Sequence, residues 1–186
     1  NGDWMWQNDS LYLYYDSDPN TAIAGMEAAA RERVIHLNDK EFITIDNLEV
    51  RYGGTRNIGE RGAPQNALDG LIIRNCQIAY SGTKGFVDDG TYNGYGISAY
   101  HSQMLIQNNE VFGNGRRNIN LILQDYGDIT VRDVIVENNV CYEGYHGMGI
   151  SMGMSGQSYL KNFIVRNNFI YQDSTETLEY PESETS

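Results

Sequence analysis

The chain is short of positive charge: 13 Lys and Arg stand against 25 Asp and Glu, for a formal charge of −12. That argues against nucleic acid as a partner, because phosphate binding needs concentrated positive charge. A polyanionic glycan would also be repelled unless a cation or a local basic patch intervened. No run of ~18 apolar residues exists, so nothing reads as a membrane-spanning helix. Helix-favouring runs are nearly absent. The exception is 26–33, whose Met-Glu-Ala-rich composition suits a helix. The sequence opens on Asn1 with no stretch that reads as a signal peptide. A chain of 186 residues is one domain able to bury a core. Its abrupt opening reads as a piece of a longer protein that lacks its beginning.

What the chain has instead is a short phrase written five times. The copies are Ile45-Asp46-Asn47-Leu48-Glu49-Val50, Ile73-Arg74-Asn75-Cys76-Gln77-Ile78, Ile106-Gln107-Asn108-Asn109-Glu110-Val111, Val136-Glu137-Asn138-Asn139-Val140-Cys141 and Val165-Arg166-Asn167-Asn168-Phe169-Ile170. The lead asparagines are 28, 33, 30 and 29 residues apart. A period in this range denotes a solenoid. Apolar residues alternate ahead of each lead Asn, as in Ile43 and Ile45 or Leu71 and Ile73, which is the period of a strand.

Asn at the lead position has a backbone reason, since it tolerates the left-handed conformation that a tight bend requires. The next position should point inward. Asn109, Asn139 and Asn168 would then form an internal amide ladder at the ~4.8 Å strand spacing, continued by Leu48 and Cys76. Phe112, Tyr142 and Tyr171 share one outward position, read first as a stabilising ring ladder. Tyr52 and Tyr80, one position later, should point inward. Cys76 and Cys141 fall two copies apart, roughly 10 Å, too far for a disulfide. Both are expected free and buried.

Turn signals follow the first four copies (Gly53-Gly54, Ser81-Gly82, Gly113-Asn114-Gly115, Glu143-Gly144), and another short strand then begins in most. Three strands and three turns per ~30 residues predict an all-β, right-handed parallel β-helix. It should hold about five to six coils over 1–172, with an acidic Ser/Thr/Glu-rich tail at 173–186. Uncapped coil ends would invite end-to-end or edge association.

On these repeats, and on Phe42-Ile43-Thr44-Ile45-Asp46-Asn47-Leu48-Glu49-Val50-Arg51 in particular, the chain resembles the pectin-lyase-like right-handed β-helix superfamily. That group holds polysaccharide lyases, polygalacturonases, alginate epimerases and other glycoside hydrolases. The segment Gly2-Asp3-Trp4 with Leu11-Tyr12-Leu13-Tyr14 and Asp18-Pro19 is also similar to part of such enzymes. The resemblance implies a polysaccharide or oligosaccharide partner and an extracellular or periplasmic, bacterial setting. It reads 26–33 as strand or irregular chain leading into Val34-Ile35-His36-Leu37. Sites would lie on the outer face of the first strand of each coil, here Ser98, Tyr100, Asn120, Gln124, Ser151 and Gly153, and in the loops before it.

Asp88-Asp89 is the most suggestive pair, because glycoside hydrolysis needs two carboxylates. His146-Gly147-Met148-Gly149 is similar to the Gly-His-Gly turn of polygalacturonases, although His146 lies two coils on rather than one and the Asn-Thr-Asp and Arg-Ile-Lys partners are absent. Asp88, Asp89 and His146 are therefore the catalytic candidates. Tyr100, Arg116, Arg117, Asp125 and Glu143 are the substrate-binding ones. Lyase chemistry would need a base and a cation to neutralise a carboxylate; Lys84, Arg116, Arg117 or Tyr100 would supply parts. No cofactor is implied; calcium stays open as an alternative, although no acidic cluster has calcium-loop spacing. His101 reads as a solvated turn residue and His36 as structural. Glycoside hydrolase comes first, with polysaccharide lyase or a non-catalytic adhesin or glycan-binding solenoid as alternatives.

Overall fold

The computed structural model describes residues 3–7, 10–14, 31–60, 68–82, 94–123, 129–144, 147–154 and 159–172. An antiparallel pair, β1 (Asp3–Gln7) and β2 (Ser10–Tyr14), comes first. Strands then arrive in triplets. The first is β3 (Arg33–His36), β4 (Ile43–Asp46) and β5 (Glu49–Arg51). The second is β6 (Arg56–Gly59), β7 (Leu68–Arg74) and β8 (Gln77–Ala79), and the third β9 (Tyr95–Ser98), β10 (His101–Gln107) and β11 (Glu110–Phe112). Next come β12 (Arg117–Leu123), β13 (Thr130–Glu137) and β14 (Val140–Tyr142), then β15 (Gly147–Met154), β16 (Tyr159–Arg166) and β17 (Phe169–Tyr171).

First, second and third members of the triplets each form a parallel sheet of five strands. The chain is thus an all-β parallel solenoid. Among the described residues there is no helix, and none long and apolar enough to cross a membrane. The part of 26–33 that is described begins β3 at Arg33, as a strand; 26–30 lies outside the described residues.

Register follows the written repeat. Asp46, Arg74, Gln107, Glu137 and Arg166 pair in succession, so the lead asparagines that follow them stand in a single file. All five are left-handed, with φ between 53° and 56°. Each of the first four donates its backbone N–H to the residue before the next lead Asn. Inside, Ile45, Ile73, Ile106 and Val136 form one column and Val50, Ile78, Val111 and Cys141 another, all buried. A third, Ile35, Ile58, Ile97, Ile119 and Ile150, closes the core. The last triplet is different: Val165 and Ile170 continue two of these columns yet are 43% and 46% exposed.

The amide ladder forms. Asn139 Oδ1 accepts from the backbone N–H and the side-chain amide of Asn109 at 3.0 and 2.9 Å. Asn168 Oδ1 accepts the same pair from Asn139, both at 2.9 Å. Cys76 continues the column, its N–H bonded to Asn109 Oδ1 at 3.0 Å. Leu48 lies level with Cys76, just before the edge strand β5, and is 48% exposed. Both cysteines are free and buried, as expected.

Two further left-handed files were not foreseen. Phe42, Gly70, Gln103, Asp133 and Asn162, each five residues before a lead Asn, have positive φ; so do Tyr52, Tyr80, Gly113 and Glu143, each five after it. The first of these files falls within β7, β10, β13 and β16, and the second at the turn that follows the third strand of the coil. The second file corrects the reading of Tyr52 and Tyr80. Alternation fails across a left-handed residue, and both rings turn outward, 48% and 40% exposed. They extend the outer ring ladder, with centroids 5.8 Å apart for Tyr52–Tyr80, 5.3 Å for Tyr80–Phe112, 4.7 Å for Phe112–Tyr142 and 4.9 Å for Tyr142–Tyr171. Gly113 is obligatory here, since a Cβ would lie 2.7 Å from the Tyr80 ring.

Candidate functional site

The sheet of β3, β6, β9, β12 and β15 carries along its outer side the register row His36, Gly59, Ser98, Asn120 and Ser151. The sequence led us to expect an open polar face here. Instead Ser98, Asn120 and Tyr100 are buried, at 1%, 4% and 9% exposure. Long side chains from the row that opens each strand (Arg33, Arg56, Tyr95 and Arg117) fold over it. A Cβ on Gly59 would meet Arg56 Cδ at 2.8 Å. Arg117 reaches along its strand to donate to Asn120 Oδ1 at 3.1 Å. Tyr100 Oη lies 3.4 Å from Ser98 Oγ.

Cations and rings collect above this row. The guanidiniums of Arg56 and Arg116 lie 5.3 and 5.4 Å from the centre of the Tyr95 ring, a cation–π arrangement. Arg116 also donates to Tyr95 Oη. Burial, and then the neighbouring Arg116 charge, hold the Arg117 guanidinium below its usual value, while Tyr95 and Tyr100 act in the opposite sense. Arg33, Arg51, Arg74, Arg132 and Arg166 each have a carboxylate within ion-pair distance. Arg56 and Arg117 have none among the described residues.

Of the sequence-named residues, Tyr100, Arg116 and Arg117 come together here. Glu143 is exposed at the corner after β14, with a left-handed backbone. Asp88, Asp89, Asp125 and His146 lie outside the described residues. His101 is not a solvated turn residue. It opens β10 and is fully buried, because the interior parity of Ile58 passes to Glu60, which it faces from inside the coil. Glu60 is 1% exposed, and its Oε1 lies 3.9 Å from His101 Nε2. No repeated signal marks this pair; only the spacing of Glu60 from Ile58 hints at it.

A second internal amide cluster was also missed. Asn114 Oδ1 accepts from the N–H and hydroxyl of Ser81 at 3.1 and 2.8 Å, and its amide donates to Asn118 Oδ1 at 2.8 Å. Asn57 ties Gly53 N–H and Ala79 O to the same corner. The outer ring ladder offers little to a sugar. Phe112, Tyr142 and Tyr171 stack nearly parallel, at 4° and 15°, so their faces cover one another.

Fold and site together define a parallel β-solenoid with a cationic, tyrosine-bearing ridge on one sheet. No protein family, curated protein or solved structure matches the chain.

Proposed function

We propose that this solenoid is a carbohydrate-active protein of the pectin-lyase-like kind, holding an acidic polysaccharide across the ridge formed by Arg56, Tyr95, Tyr100, Arg116 and Arg117. The observation that carries the reading is the pair Arg56 and Arg117, half-buried guanidiniums with no carboxylate partner among the described residues, in a chain of charge −12. A sugar carboxylate or sulfate supplies the paired oxygens that a guanidinium fork matches. The buried Tyr95 ring holds Arg56 and Arg116 in place from beneath.

For hydrolysis, Asp88 and Asp89 are the proposed acid and base, with His146 as the third catalytic candidate and Asp125 and Glu143 as further substrate contacts. Eliminative cleavage is the second reading. One observation favours it: Tyr100 and the arginines stand together, a base candidate beside the cations that would neutralise a uronate. Either chemistry suits an extracellular or periplasmic protein.

The test is a panel of neutral and acidic polysaccharides, assayed for new reducing ends and for the absorbance of unsaturated uronates. New ends from acidic glycans without unsaturation mark a hydrolase; with unsaturation, a lyase. Binding without cleavage marks a non-catalytic glycan-binding solenoid. Failure to bind or cleave any acidic glycan contradicts the proposal.

A further inference from the structure

Glu60 and His101 are used by nothing described above, and both are buried to 1% or less. They join three coils at one corner. Glu60 directly follows β6, and its backbone N–H is bonded to Ser98 O in the next coil. Its Oε2 accepts the backbone N–H of Asp39 at 3.2 Å. His101 Nε2 donates to Lys40 O at 3.0 Å. Both bonds hold the first-coil corner 37–42, where Asn38, Asp39 and Phe42 are left-handed. Glu60 Oε1 and His101 Nδ1 have no hydrogen-bond partner among the described residues.

The charge count of such a pair decides its behaviour. With one proton it is neutral overall, whichever residue holds it. With none it is a buried anion, with two a buried cation, and either is costly away from water. The two groups titrate as a unit. We propose that the Glu60–His101 pair is a one-proton latch, holding the 37–42 corner shut in mild acid and releasing it as pH rises.

The direction follows from linkage. In an opened, solvated corner a carboxyl and an imidazole have their ordinary values, about 4.3 and 6.5. Between these pH values the open form also binds one proton, so the equilibrium is flat. Above about 6.5 the open form has shed it while the closed form keeps it, so closure weakens by up to roughly tenfold per pH unit. Desolvation, which raises the Glu60 value, acts in the same sense: the stability it confers is present while the carboxyl is protonated and is lost as pH climbs through the folded-state value.

Other charged groups here are Asp39, Lys40 and Glu41 on the corner, His36 and Arg33 on β3, and Asp69 on β7, whose backbone N–H donates to Glu41 Oε1 at 3.0 Å. Arg33 is committed to Glu32 and to Glu60 O, and Asp69 faces Arg132 at 3.7 Å. Asp39 and His36 both act on Glu60 through space, in opposite senses.

Amide hydrogen exchange of Asp39 and Lys40, corrected for the intrinsic chemical rate, tests the latch at pH 5.5 and 7.5. Protection should fall about tenfold between them, the fall should vanish in Glu60→Gln and it should persist in His36→Gln. Equal protection at both pH values, an unchanged fall in Glu60→Gln, or its loss in His36→Gln overturns the proposal. Should Glu60→Gln fail to fold, the wild type still decides: the Glu60 carboxyl and His101 ring carbons must shift with the same midpoint as corner opening, and separate midpoints overturn it.

Discussion

Replacing Asn139 by Ala should be among the most damaging single changes in the chain. The side chain is fully buried and makes four hydrogen bonds, two through Oδ1 from Asn109 and two from its amide, to Ile106 O and Asn168 Oδ1. Asn168 Oδ1 keeps the Asn139 backbone N–H, and the Asn109 amide keeps Ile73 O. What is stranded is the Asn109 backbone N–H, outright, and one lone pair of Ile106 O. An orphaned buried polar group costs about 1–3 kcal/mol, and the vacated amide leaves a small void besides. The loss should be about 2–4 kcal/mol, a large share of the roughly 5–15 kcal/mol of a whole domain. Asn168→Ala, at the half-exposed end of the same ladder, should cost about 1 kcal/mol, since water can reach the groups it frees. Urea unfolding gives both values, provided the slope stays that of the wild type. Equal losses in the two variants, or a loss below about 1 kcal/mol at Asn139, would refute the ladder as a buried, fully paired column.

Gly96→Ala should also destabilise, because the added Cβ would lie 2.6 Å from Asn118 O and 2.7 Å from Val111 Cγ1; about 2 kcal/mol would lower Tm by roughly 4–8 °C for a domain of this size. Burial pushes the Cys141 thiol up to about 12, so its labelling by a thiol reagent at pH 8 should track unfolding and show no reaction of the native protein. Hydrogen bonds from Asn75 and then Arg74 hold the Asp46 carboxyl below its usual value. Its contribution to stability is therefore present above about pH 3.9 and lost as pH falls through the lower folded-state value; in Arg74→Ala the carboxyl carbon should titrate at higher pH than in the wild type.

How much of this was legible depended on repetition. The lead asparagines, the aliphatic columns and the Asn109–Asn139–Asn168 ladder recur in one residue type, and the fold could be read from them. The two other left-handed files could not, because backbone geometry there recurs without a shared side chain: Phe42, Gly70, Gln103, Asp133 and Asn162 have nothing in common on paper. That is why Tyr52 and Tyr80 were assigned to the wrong side. Glu60 and His101 occur once each, in different coils, and are joined only by the winding. The ridge was half visible, since Arg116-Arg117 and Tyr100 stood out, whereas Arg56 and Tyr95 are brought to them by register alone. The covering of Ser98 and Asn120 was invisible, because alternation tells which side a residue faces and not what lies across it.

The account turns on whether the arginine ridge receives an acidic glycan. Calorimetric titration of oligouronates into the wild type and into Arg56→Ala, Arg117→Ala and the exposed control Arg132→Ala measures this directly. Wild type and control should bind alike, and each ridge variant should bind about tenfold or more weakly, as expected for losing a charge-assisted bond worth about 1.5–3 kcal/mol. Equal binding by all four proteins, or none by the wild type, would contradict it.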